Sequence, residues 1–402
     1  MEALLSESVA HLCARGKGIL AADESPGTLG KRLKNTPQLS HLENAEETRR
    51  QWREILLTSD TGSCFGGVIL HEETLLQSTK DGKAFVECLR ERGILPGVKV
   101  DQGLEPVGEE TVTKGLDTLS ERCAAYREQG ARFAKWRAAL KVSDVLPSRE
   151  CVEQNAEQLA RYAKVCQEQG LVPIVEPEIL ITSDYGMARS RDVSTLVLRE
   201  VFKRLAAHGV DLKTCLLKPQ MVMPGETTSP PRLPLSLALA LNPDGRPISS
   251  SALGLSRGPR GAGSESAEKA SAQEVARATL DVFDECLTDD LAGVFFLSGG
   301  LTEEQATVNL NELNLAAKER YAARGGQPWK LSFSFGRALQ ASVLKMWRGR
   351  PENAEACRAQ SLRLAKANSS ACEGEYNPPH PSPSDAGSTL VETFRGHSGA
   401  AA

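Results

Sequence analysis

The chain has 402 residues, 40% hydrophobic and 25% charged, the proportions of an ordinary globular protein. A net charge of -4 gives no bulk attraction to nucleic acid or to an acidic membrane surface. Only 5% of residues are aromatic, too few for a base-stacking surface, and the longest apolar run, "LPLSLALAL" at Leu233–Leu241, is far short of a membrane span. No nucleic acid and no membrane span are therefore expected.

"MEALLSESVAHLCARGKG" carries acidic residues early and no signal-length apolar run. The ten cysteines form no CxxC pair, which points to free thiols and a cytoplasmic location. Six dispersed histidines, with no HxH or HxxxH spacing, predict no metal site.

Eight apolar runs follow in chain order: Gly18–Ala22, Gly67–Leu70, Gly97–Val100, Ala131–Trp136, Val172–Glu178, Thr214–Lys218, Gly293–Leu297 and Leu331–Phe335. Four are preceded by a polar amphipathic stretch ending in glycine, at Gly93, Gly130, Gly170 and Gly209, about 40 residues apart. Glycine just past a helix end is the expected left-handed cap, so each unit reads as helix, glycine, strand. Val193, Val197, Val201 and Leu205 mark one helix face; Ser271–Glu274 and Thr302–Gln305 read as capping boxes. The pattern predicts an α/β single-domain (β/α)8 TIM barrel. An open doubly wound sheet is the competing architecture, lowered by the absence of GxGxxG after the first strand.

Two segments stand outside the repeat. Residues 226–268 are rich in Pro, Ser, Gly and Arg and read as a disordered low-complexity insertion after strand six. Residues 375–402 read as a flexible, extended C-terminal tail, leaving 1–374 as the barrel.

In such a barrel the chemistry lies at the C-terminal strand ends. Seven of the eight ends carry charged or polar groups: Asp23, Lys99 with Asp101, Lys135 with Arg137, Glu176 with Glu178, Lys218, Ser298 and Arg337. Any one of these alone is better read as a solvated end or a structural ion pair. Buried Lys and Glu are rare unless paired, so their convergence favours a functional site. A lysine in a partly dry pocket near another cation has its neutral amine favoured, and a neutral amine attacks a carbonyl to form a Schiff base. Lys218 is the candidate, Lys135 the nearby cation, and Glu176 and Glu178 the proton carriers. The Ser298-Gly299-Gly300 turn and Arg337 suit a phosphate.

"GKGILAADES", "GARFAKWRA", "VPIVEPEIL", "LLKPQMV", "FLSGG" and "SFSFGRALQ" together resemble class I fructose-bisphosphate aldolase, from about Ala14 to Tyr376 apart from the insertion. The resemblance implies the following roles. Lys218 forms the Schiff base, Glu176 is the main acid/base group, and Glu178 holds the lysine pair. Asp23 acts on the C4 hydroxyl and Lys135 stabilises charge there. Ser298, Gly299, Gly336 and Arg337 bind the C1 phosphate. Ser25, Thr28, Lys99 and Arg137 bind the other, with Arg32 moving between them. It further implies reversible cleavage of fructose 1,6-bisphosphate in glycolysis and gluconeogenesis, no metal or other cofactor, sugar-phosphate ligands, a homotetramer and cytoskeletal contacts. Three features depart from the family: Gln220 for the usual Asn, Leu301 after "SGG", and an ending "GHSGAAA" where relatives commonly carry Tyr. The altered tail and the insertion keep open the alternative of a catalytically weakened aldolase-like scaffold or binding protein. Other Schiff-base barrels would share the lysine without the two-phosphate basic set.

Overall fold

The computed structural model describes residues 1–225 and 270–383. Ten strands lie within them: β1 Gly18–Ala22, β2 Phe65–Leu70, β3 Leu95–Lys99, β4 Leu104–Val107, β5 Glu110–Thr113, β6 Phe133–Leu140, β7 Val172–Ile179, β8 Leu216–Leu217, β9 Gly293–Phe296 and β10 Lys330–Phe335. Eight close into a parallel barrel in the order β1-β10-β9-β8-β7-β6-β3-β2, with helices between them. The eight runs read from the sequence are these eight strands, and the open-sheet alternative falls because β1 pairs with both β2 and β10.

The local signals act as expected. Gly93, Gly130, Gly170 and Gly209 take φ values of 65°, 105°, 75° and 62°, the left-handed region where an L side chain is strained. Both capping boxes form, opening helices Ala272–Cys286 and Glu303–Arg320. The Val193–Leu205 face is buried in helix Met187–Ala207.

Boundaries differ where pairing decides them. β6 runs past Trp136 to Leu140 because β7 pairs with it throughout, from Phe133↔Val172 to Leu140↔Ile179. β8 is cut to two residues: Lys218 N still donates to Val175 O, but Pro219 has no N–H to continue the ladder. The antiparallel hairpin β4–β5 goes unread in the sequence. It leans on β6 through Thr113 Oγ1 to Arg137 O at 2.8 Å and Thr111 Oγ1 to Ala139 O at 3.0 Å.

Two apolar layers hold the barrel. The larger lies between strands and helices. The smaller fills the inside, from Ile19, Ile69, Phe133, Val172, Ile174, Leu216 and Phe295, and is joined by Leu5, Val9 and Leu12 of helix Glu2–Leu12. Phe133 lies inside, its ring against Gly67 of β2 and Gly97 of β3. A methyl group at Gly97 would lie 2.2 Å from its ring, so these strands need glycine to let it in. The insertion 226–268 lies outside the described residues. Of the tail, 375–383 are described, and Tyr376 packs against the larger apolar layer.

Candidate active site

Successive inward residues of each strand change character along the barrel. β6 presents Phe133 to the inner core and then Lys135 and Arg137 to a cavity; β7 presents Ile174, then Glu176 and Glu178. β1 goes from Ile19 through Ala21 to Asp23, and β8 from Leu216 to Lys218. The period of two that sets strand faces thus turns an apolar floor into a charged rim at the C-terminal end. The cavity measures about 620 Å3, and all fourteen site residues expected from the sequence line it.

At its base Glu176 lies between two lysines. Lys218 Nζ is 3.0 Å from Oε1 and Lys135 Nζ is 3.1 Å from Oε2. Lys135 also meets Asp23 at 2.9 Å and Asp101 at 3.9 Å. Lys135, Glu176 and Lys218 are each at most 4% exposed, so these charges are held by one another rather than by water. Burial alone would favour the neutral amine of Lys135, but Asp23, Glu176 and Asp101 outweigh it and raise its pKa. Burial alone would likewise raise Asp23, yet Lys135 and Lys218 hold it well below the usual carboxylate range. The two lysines are therefore not a bare cation pair, because a carboxylate bridges them.

The rim carries further ion pairs. Arg137 Nε donates to Glu178. Lys99 Nζ is 2.6 Å from Asp101 Oδ1, and Arg32 Nη1 is 2.5 Å from Glu24 Oε1. Burial first, then the charges of Arg32 and Arg137, push Arg337 down to about 9 against the opposing pull of Glu178 and Glu24, which leaves it charged at neutral pH among both cations and carboxylates. Ser25 caps helix Pro26–Lys34, its Oγ accepting from Thr28 N at 3.3 Å, and both residues open that helix N-terminus to the cavity. Gly299 is pressed between Gln220 and Glu178: an added Cβ would lie 3.0 Å from Gln220 Oε1 and 3.1 Å from Glu178 Oε1.

Sequence reasoning gave no role to Asp101, Glu24 or His71, which also line the cavity. Asp101 had a signal, the i+2 spacing from Lys99. Glu24 had none, since its second partner Arg53 (2.8 Å) comes from the next helix, Glu46–Leu57. Among the described residues no group of three His, Cys, Asp or Glu could hold a metal ion, and no helix is long and apolar enough to cross a membrane.

The class-I fructose-bisphosphate aldolase profile matches residues 4–240 and 260–395. The chain belongs to the class I fructose-bisphosphate aldolase family. It is 44% identical over 377 residues to the fructose-bisphosphate aldolase of Echinococcus multilocularis, covering 92% of this chain and 90% of that one. It is 43% identical to fructose-bisphosphate aldolase C-A of Danio rerio with the same coverage. The solved aldolase of Plasmodium falciparum, in complex with TRAP and a small-molecule inhibitor, superposes with a TM-score of 0.79 at 39% identity, over 94% of this chain and 96% of that one. The chain is accordingly an aldolase, a carbon–carbon lyase.

Proposed function

We propose that this aldolase cleaves fructose 1,6-bisphosphate reversibly, through a Schiff base on Lys218, to dihydroxyacetone phosphate and glyceraldehyde 3-phosphate. The observation that carries the reading is Glu176 bridging Lys218 and Lys135 at the base of a cavity with cations on opposite sides of its rim.

Glu176 takes a proton from Lys218, 3.0 Å away, and the freed amine attacks the C2 ketone. The carbinolamine loses its hydroxyl as water when Glu176 returns a proton, leaving a protonated imine. Asp23, a carboxylate because Lys135 and Lys218 hold it ionised against burial, removes the C4 hydroxyl proton. The C3–C4 bond breaks, its electron pair passes to the imine as an enamine, and the aldehyde leaves. Lys135, 2.9 Å from Asp23, stabilises the negative charge that grows on the C4 oxygen. Protonation of the enamine and hydrolysis of the imine free Lys218. Glu178, held by Arg137, orders the rim above Glu176.

The C1 phosphate binds Ser298, Gly299, Gly336 and Arg337, whose guanidinium fork suits a phosphate. The C6 phosphate binds Lys99, Arg137 and the helix N-terminus at Ser25 and Thr28, with Arg32 between the two. The enzyme works in glycolysis and gluconeogenesis as a cytoplasmic homotetramer and needs no metal.

Lys218→Met should lower cleavage of fructose 1,6-bisphosphate by about 10,000-fold or more, the scale of losing a covalent group. EDTA should leave the wild-type rate unchanged. An active Lys218→Met, or strong inhibition by EDTA, would overturn the mechanism.

A further inference from the structure

The C1-phosphate groups proposed above come from two separate loops. Ser298 and Gly299 follow β9, and the next helix begins at Glu303. Gly336 and Arg337 follow β10, and a short helix begins at Ala341. The first loop's helix and the second loop's helix meet at one side chain. Glu303 is 3% exposed, and its Oε1 accepts from Ser342 N at 2.9 Å and from Ser342 Oγ at 3.1 Å. Its Oε2 accepts from Ser382 Oγ, far along the chain. Burial pushes the Glu303 carboxyl up, against the pull of the Ser342 amide and both serine hydroxyls.

The tail around Ser382 is tied down on the helix that carries Glu303 and on helix Ala354–Ala371. Tyr376 N donates to Asn311 Oδ1 at 3.0 Å. His380 Nε2 lies 3.1 Å from Thr307 Oγ1. Gln360 Nε2 donates to Pro381 O at 3.0 Å and reaches Ser342 Oγ at 3.4 Å. The strap therefore lies behind the phosphate loops and touches the residue that joins them.

We propose that Glu303 is a positioning residue that clamps the two C1-phosphate loops together from behind, and that residues 376–382 form a latch on this clamp, closed by Ser382. The inference rests on the phosphate site proposed above. With the latch closed, both loops keep one spacing, which a bidentate phosphate grip requires. Displacing Ser382 frees one carboxylate oxygen and loosens the clamp, so tail position sets phosphate affinity. Ser382 stands before Pro383 in "HPSPS", half-exposed, and added negative charge there would repel Glu303 and open the latch.

The test compares Arg337→Ala, Glu303→Ala, Glu303→Gln, Ser382→Asp and the double variant Glu303→Gln/Ser382→Asp with the wild-type chain. KM and kcat for fructose 1,6-bisphosphate and inhibition by inorganic phosphate are read for each. Arg337→Ala is the control for the site itself. If it leaves phosphate inhibition unchanged, the phosphate-site reading fails and the clamp with it. Glu303→Ala and Ser382→Asp should each raise KM and the phosphate inhibition constant about fivefold, a hydrogen bond's worth, with a much smaller change in kcat. Glu303→Gln should stay within about twofold of wild type, because its amide keeps an acceptor for Ser342 and offers a donor to Ser382. The double variant should recover most of the loss caused by Ser382→Asp. Since Ser382 is half-exposed, its variant folds even if Glu303→Ala does not. An effect of Arg337→Ala with none of Ser382→Asp overturns the latch. Equal losses in Glu303→Gln and Glu303→Ala overturn the clamp.

Discussion

Asp23 and Glu24 are half-buried and Asp101 is buried, all three held ionised by neighbouring cations, and acid should find this first. At Glu24 burial raises the pKa, but Arg32 and Arg53 outweigh it and bring it from 4.5 down to about 2. Between those values the unfolded chain binds more protons than the folded one, so stability rises with pH. The contribution is complete above the unfolded value and is lost as pH falls through the folded one. Glu24→Gln should therefore flatten the stability curve by about 2 kcal/mol between about pH 3 and about pH 7. Urea unfolding across that range checks it, and parallel curves for the two proteins would refute the assignment. The sequence shows where these charges stand, because i, i+2 spacing puts Lys135 and Arg137, or Glu176 and Glu178, on one face. It does not show who meets whom. Glu176 bridging the lysines, Glu178 facing Arg137 and Glu24 reaching Arg53 depend on shear between strands and on helix placement, which no local pattern encodes.

Elements were legible in proportion to how much local chemistry fixes them. Left-handed glycines and capping boxes act within a few residues, so helix ends and the strands after them could be read. The hairpin β4–β5 could not: its strands are four residues each, and β4 is mostly exposed, with no apolar face to give a period. At the start of the tail, composition alone does not show that residues 376–382 are held by hydrogen bonds to side chains of two helices. Helix Glu2–Leu12 also escaped, although it joins the inner core at the end away from the charges. Leu12 is fully buried there, close to Gly66 and Gly67 of β2. Leu12→Ala should cost about 3 kcal/mol by the cavity it leaves. KM should not move, because that end of the barrel supports stability alone. Denaturant unfolding and steady-state kinetics on one preparation separate the two; a shifted KM at unchanged stability would contradict the division.

Across the whole molecule the barrel is polarised along its axis. Apolar side chains and the N-terminal helix occupy one end, and the charged cavity occupies the other. This arrangement follows from strands of alternating face whose inward residues pass from Ile and Phe to Lys and Glu. It is why eight short runs sufficed to reveal the fold and the charged rim, while the hydrogen bond between the tail and Glu303 needed the structure. The central claim is that Lys218, and no other lysine at this rim, becomes covalently bound to substrate. Borohydride reduction in the presence of fructose 1,6-bisphosphate, followed by peptide mapping, tests it directly. The account predicts one reduced adduct per chain, on Lys218. An unlabelled protein, or an adduct on Lys135 or Lys99, would contradict it.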